Sequence, residues 1–211
     1  MAPVINELKA QTSADLETIV VSTGQHREMM RPILNFFQIK PDFDLEVMRK
    51  CGSLNSLFAT IVLELDEIFA KLNPASVLVH GDTTTAAAAS LAAFHRRIKV
   101  AHVEAGLRTG NLDEPFPEES NRRIIALHTS IHFAPTIRAR SRLIDEGIPQ
   151  ESIVVNGNTV VDALRHVAAR LRNEPSLRLA LQAKYSFLDG ARHVVLVTGH
   201  RRENLSGGID R

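Results

Sequence analysis

Apolar residues along this chain fall into two alternating rhythms. Short, nearly unbroken apolar runs occur at 18–23 (TIVVST), 76–81 (SVLVHG), 99–104 (KVAHVE), 131–135 (IHFAP), 152–157 (SIVVNG) and 193–199 (HVVLVTG). Most are β-branched and lack polar alternation, the pattern of parallel strands buried on both faces. Between them lie stretches with apolar positions at helical spacing. The clearest are 57–72 (LFATIVLELDEIFAKL) and the alanine-rich 83–97 (TTTAAAASLAAFHRR), with others at 1–11, about 119–130, 136–147, 160–172 and 175–185. Strands alternating with helices in this way predict an α/β fold, a doubly wound parallel sheet of Rossmann type.

The domain organisation follows from the same rhythm. Residues 1–158 read as a Rossmann-like domain whose visible part starts in a helix, without the strand that such a domain normally places at its centre. Residues 159–192 read as a helical crossover. Residues 193–211 read as the opening of a second Rossmann-like domain, and one strand with one helix buries too little to stand alone. The chain is thus expected to be a piece of a longer protein.

Composition narrows the function classes. Apolar residues are 44% of the chain and charged residues 23%, ordinary for a globular protein. No apolar run approaches the roughly 18 residues of a membrane span, and the first residues, MAPVINELKAQ, carry Glu7 and Lys9 where a signal peptide is apolar. The single cysteine, Cys51, excludes an internal disulfide and a cysteine-rich metal site. A cytoplasmic protein is the expectation. Net charge is +1 and the basic residues are dispersed, so neither a nucleic-acid nor a membrane partner is expected.

Candidate chemistry gathers at the carboxyl ends of the predicted strands, where open α/β sheets bind ligands. Asp82 follows VLVHG, either as cap of the next helix or as a carboxylate facing the crevice, since Thr83 would cap equally well. Glu104 ends KVAHVE. Glutamate is a poor helix cap, and desolvation at a strand mouth would raise its pKa toward the range of proton transfer. His102 shares its face and reads as a packed core residue. Arg108 is either a surface residue, a loop anchor or a partner for a crevice carboxylate. Glu118 and Glu119 suit the first turn of a helix begun by Pro117, with Arg122 and Arg123 four residues on as ordinary surface support. His200, Arg201 and Arg202 follow HVVLVTG in a turn suited to a diphosphate, or to a basic surface. No paired histidine spacing supports a metal site. The dinucleotide fingerprint and the P-loop are both absent from the sequence, so no cofactor is expected.

Taken together, MAPVI, TGQHREMM, VHGDTTT, SLAAFH, VEAGLRTG, PEESNRR, HFAPT, GNTVVDAL and VTGHRREN resemble the bacterial non-hydrolysing UDP-N-acetylglucosamine 2-epimerases, in order and spacing, from residue 1 to about 204. The resemblance implies two Rossmann-like domains in the manner of type B glycosyltransferases, of which this chain is the first half. It implies a UDP-sugar substrate, a homodimer, and a reversible conversion of UDP-N-acetylglucosamine to UDP-N-acetylmannosamine for surface polysaccharide. By resemblance, Asp82, Glu104, Glu118 and His200 are catalytic. Asn158, Arg201 and Arg202 bind substrate, and Gln25, His26 and Arg27 form a regulatory site for a second substrate molecule. RKCGS (49–53) stands where members usually carry a PGQ-like loop. Two alternatives stay open: a hydrolysing relative releasing UDP and N-acetylmannosamine, and a truncated remnant without activity.

Overall fold

The computed structural model describes residues 1–11, 16–24, 27–47, 51–188 and 192–197, with Arg27 through its backbone. Strands β1 (Val21–Ser22) and β2 (Phe43–Asp44) form a short parallel pair. Strands β3 (Ser76–His80), β4 (Lys99–Val103), β5 (Ile131–Ala134) and β6 (Ile153–Val155) form a parallel sheet in that spatial order. The helices are α1 (Ala2–Ala10), α2 (Arg27–Phe36), α3 (Leu54–Leu72), α4 (Thr84–His95), α5 (Glu118–His128), α6 (Ile137–Asp145), α7 (Thr159–Asn173) and α8 (Pro175–Lys184). The architecture is an α/β, Rossmann-like parallel sheet.

Burial explains why the sheet holds. Ile61, Leu65 and Phe69 of α3 pack with five buried alanines of α4 (86–88, 92 and 93), with Val79 and Val100 of the sheet, and with Ile125 of α5. Alanine lets α4 approach both the sheet and α3 closely, so its high helix propensity and its small size act together. A second cluster joins Ala105, Ala134 and Ile153 to Ala139 and Leu143 of α6. Strand β6 lies at the edge, and Val154 and Val155 stay exposed instead of buried on both faces.

Three local departures have physical causes. The run 18–23 yields only the two-residue β1, because its partner β2 is equally short. Helix α2 was not expected: Pro32 sits inside it, where proline normally breaks a helix. The strand expected over 193–199 is not formed over its described part, 193–197. No described strand pairs with it, and Val194 to Val197 are exposed.

By contacts the chain divides into two compact units, Met1–Asn158 and Thr159–Arg211. The first holds both sheets and α1 to α6. The second holds α7 and α8, which pack on each other. Among the described residues, no helix is long and apolar enough to cross a membrane.

Candidate active site

The end of β3 turns at Gly81, whose φ is +70° and whose N–H donates to the Val103 carbonyl at 3.0 Å. A Cβ here would sit 3.6 Å from Glu104 Oε2, so the missing side chain keeps the space beside that carboxylate open. His102 meets the Gly81 carbonyl at 2.7 Å through Nε2. Of the two alternatives for Asp82, the capping one belongs to its neighbour. Thr83 is the N-cap of α4, its Oγ1 accepting from the Ala86 N–H at 3.2 Å. The Asp82 carboxylate is therefore free of the helix, and Arg122 Nη2 donates to its Oδ2. The Asp82 carbonyl accepts from Asn121 Nδ2 at 2.9 Å.

Glu104 leaves the end of β4 with φ +67°. A left-handed backbone at a glutamate costs about 1 kcal/mol, and such strain clusters at functional sites. The turn aims its carboxylate along the mouth. Oε1 accepts from Asn158 Nδ2 at 2.7 Å, and Oε2 lies 3.7 Å from His80 Nε2. Burial pushes the His80 imidazole below its usual pKa, with Glu104 and Asp82 opposing. Glu104 thus faces a neutral imidazole at pH 7. Its side chain is 27% exposed, so the mouth is half open to water.

The loop from Glu104 to Glu118 is fixed at three points. Gly106 (φ +86°) packs so closely on α6 that a Cβ would come within 2.3 Å of the Ala139 carbonyl oxygen. Arg108 makes a two-pronged pair with Glu146, both bonds at 2.8 Å, and also donates to the Leu107 carbonyl. It is a loop anchor, not the partner of a crevice carboxylate. The backbone N–H groups of Thr109 and Gly110 donate to Glu119 at 3.1 and 3.3 Å.

Helix α5 then begins at Glu118, and of the two expected pairs four residues apart the geometry keeps Glu119–Arg123 and overturns Glu118–Arg122. Glu119 is fully buried and receives Arg122 Nη1 at 3.3 Å and Arg123 Nε at 3.6 Å. Burial works against its charged form. The Thr109 and Gly110 N–H groups, the Arg122 guanidinium and the charge of Arg108 outweigh that and hold the Glu119 carboxyl below its ordinary value. Arg122 does not pair with Glu118 four residues earlier. It turns inward, 14% exposed, because Asp82 and Glu119 both lie within its reach. Glu118 is half-buried, and its side chain makes no hydrogen bond or ion pair among the described residues.

Asp82 and Glu104 thus stand at the ends of adjacent strands. Glu118 opens the helix whose next turn grips Asp82, and Asn158 is engaged with Glu104. Gln25 and His26 lie outside the described residues, as do His200, Arg201 and Arg202; the backbone of Arg27 opens α2. Among the described residues, no group of three or more His, Cys, Asp or Glu side chains is arranged to hold a metal ion. Sequence reasoning missed Glu119 and Arg122 as members of the site. The signal available was Glu119's spacing of three to Arg122, beside the spacing of four.

The family model described as UDP-N-acetylglucosamine 2-epimerase matches residues 7–209. The chain is 47% identical to the UDP-N-acetylglucosamine 2-epimerase of Yersinia pestis over 211 residues, all of this chain and 56% of that protein. Its identity to the Salmonella typhimurium (strain LT2) enzyme of the same description is 46% over 210 residues, 55% of that protein. The chain therefore spans about half the length of the curated relatives it matches. A crystal structure of UDP-GlcNAc 2-epimerase from Neisseria meningitidis bound to UDP-GlcNAc superposes with a TM-score of 0.91 at 43% identity, covering 97% of this chain and 54% of that one.

Proposed function

Because the chain belongs to the UDP-N-acetylglucosamine 2-epimerase family, we propose that the protein interconverts UDP-N-acetylglucosamine and UDP-N-acetylmannosamine. The observation that carries this reading is the gathering of Asp82, Glu104 and Glu118 at one end of a parallel sheet, with Glu104 in a strained backbone. In the reaction, a carboxylate takes the proton from C2 as the bond between C1 and the UDP oxygen breaks. The C2–H electron pair becomes the C1–C2 double bond of 2-acetamidoglucal, and UDP leaves. In the return step the UDP oxygen adds to C1 and an acid on the opposite face supplies the C2 proton.

Two faces need two proton carriers, positioned within hydrogen-bond reach of the same carbon. Glu104, oriented by Asn158, and Glu118, without a side-chain partner among the described residues, fill these roles. Asp82, held by Arg122, orients the sugar. His200, Arg201 and Arg202 are assigned to the departing diphosphate. Asn158 serves the substrate through its hold on Glu104. Gln25, His26 and Arg27 are assigned to a second, regulatory UDP-sugar. The complete protein is read as a two-domain, type B glycosyltransferase-like homodimer in the cytoplasm, supplying surface polysaccharide precursors.

The test is to incubate the full-length protein with UDP-N-acetylmannosamine in deuterium oxide and follow it by proton NMR. UDP-N-acetylglucosamine carrying deuterium at C2 is the expected product. Free N-acetylmannosamine with UDP would instead identify the hydrolysing reaction. Absence of both products, with no deuterium at C2, overturns the assignment. Asp82→Asn and Glu104→Gln should each lower turnover far more than nucleotide affinity.

A further inference from the structure

Two consecutive residues of α5 hold Asp82 by different groups. Asn121 donates to its carbonyl at 2.9 Å, and Arg122 donates to its carboxylate. The other arm of Arg122 reaches Glu119 at 3.3 Å, and Glu119 is fixed in turn by the N–H groups of Thr109 and Gly110. One guanidinium therefore links the loop after β4, the first turn of α5 and the turn after β3. Glu118 lies one helical turn before Arg122, so it shares that face of α5.

We propose that Arg122 is a positioning residue of this site: it sets the Asp82 carboxylate at a fixed place relative to Glu118, with Glu119 as its buried anchor. This rests on the epimerase reading above. Sequence spacing alone would spend Arg122 on Glu118. Among the described residues Glu118 has no side-chain partner, and the cation goes to Asp82 instead, which holds that carboxylate in place. Arginine suits the task because its planar fork offers donors in fixed, divergent directions to two carboxylates at once. A lysine at the same position presents one compact charge and reaches one acid at a time. A sugar that must meet acids on both faces tolerates little error, since a displacement of about 1 Å can cost about 100-fold in rate.

The experiment uses the full-length enzyme, with Arg122→Ala and Arg122→Lys compared to wild type in the epimerisation assay, with and without added guanidinium chloride at non-denaturing concentration. Circular dichroism melting checks that each variant is folded. Arg122→Ala is expected to lose about 100-fold in kcat with KM within about threefold of wild type. Guanidinium is expected to restore part of the loss in Arg122→Ala and none in wild type. Arg122→Lys is expected to stay at least about tenfold below wild type in kcat, since it keeps the charge without the fork. If Arg122→Ala fails to fold, Arg122→Lys decides, and wild-type kcat in that variant overturns the proposal. A rise in KM at unchanged kcat also overturns it, because it would make Arg122 a substrate contact. Wild type without epimerisation would overturn the functional reading itself, whereas active wild type with unaffected variants overturns only the positioning role.

Discussion

Lowering the pH from 7 to 5 is expected to destabilise this protein through two side chains that face each other across the sheet. His102 and His132 are register partners on β4 and β5, 1% and 0% exposed, in the row that runs from Val79 to Ile153. Burial pushes the His102 imidazole down to about 4; the Gly81 carbonyl opposes this, while the charges of His132, Arg108 and His80 add to it. Burial, then the charge of Arg108, pushes His132 down to about 4 as well, against a weak opposing contribution from the Thr129 backbone. Both folded values lie below the ordinary 6.5. The unfolded chain therefore binds protons that the folded chain refuses, and stability is complete above 6.5 and drains away as the pH falls toward 4. At pH 5 the unfolded histidines are nearly all protonated and the folded ones barely so. The cost is about 2 kcal/mol for each histidine relative to pH 7, a large share of a domain's stability of about 5–15 kcal/mol. Urea denaturation followed by circular dichroism at pH 7, 6 and 5 measures it. Among the described residues, neither ring nitrogen of His132 has a hydrogen-bond partner within bonding geometry. His132→Leu should therefore be neutral or about 1 kcal/mol more stable at pH 7, and should reduce the acid-induced loss by about 2 kcal/mol. Equal wild-type stability at pH 7 and pH 5, or an undiminished loss in His132→Leu, would refute the reasoning.

Gly106→Ala should destabilise the fold by at least about 2 kcal/mol in the same urea assay, because it adds a Cβ both at positive φ and against the Ala139 carbonyl. Glu104→Asn should leave the fold as stable as wild type or about 1 kcal/mol more so, since asparagine tolerates the left-handed backbone, while C2 deuterium exchange in the full-length enzyme disappears. The adjacent acids of α5 should part company. Glu118→Gln is expected to lower turnover with stability within about 0.5 kcal/mol of wild type, and Glu119→Gln to cost about 3 kcal/mol of stability in the urea assay.

The sheet was legible in the sequence where its strands are continuous apolar runs: 76–81, 99–104, 131–135 and 152–157 all become strands within a residue or two. The illegible parts are those whose state depends on a neighbour. Strand β2 exists as two residues only because β1 lies beside it, and 193–197 has the composition of a strand with no described strand to pair with. Helix α2 was hidden by Pro32, a residue whose local preference opposes the helix it sits in. At the site, Glu104 stood out because a charge follows directly on an apolar strand. Its positive φ did not, since glycine advertises that backbone and glutamate does not.

Glu118 and Glu119 show where periodicity stops being informative. Spacing says that each has an arginine four residues on, and it treats the two as equivalent. What separates them is the rotation of α5 about its axis, set by Ile125 and Ala126 packing into the two apolar clusters. That rotation carries Glu119 inward. A buried carboxylate left unpaired would cost several kcal/mol, so it can remain charged only where donors already wait, as the Thr109 and Gly110 N–H groups and Arg122 do. The same rotation leaves Glu118 half-exposed at the mouth, where no donor is needed for the fold. An acid with its donors satisfied, as Glu119 is, has no lone pair to spare for a substrate, whereas Glu118 has no donor among the described residues. The division between the buried anchor and the acid proposed as proton carrier thus traces to apolar residues a turn and a half away.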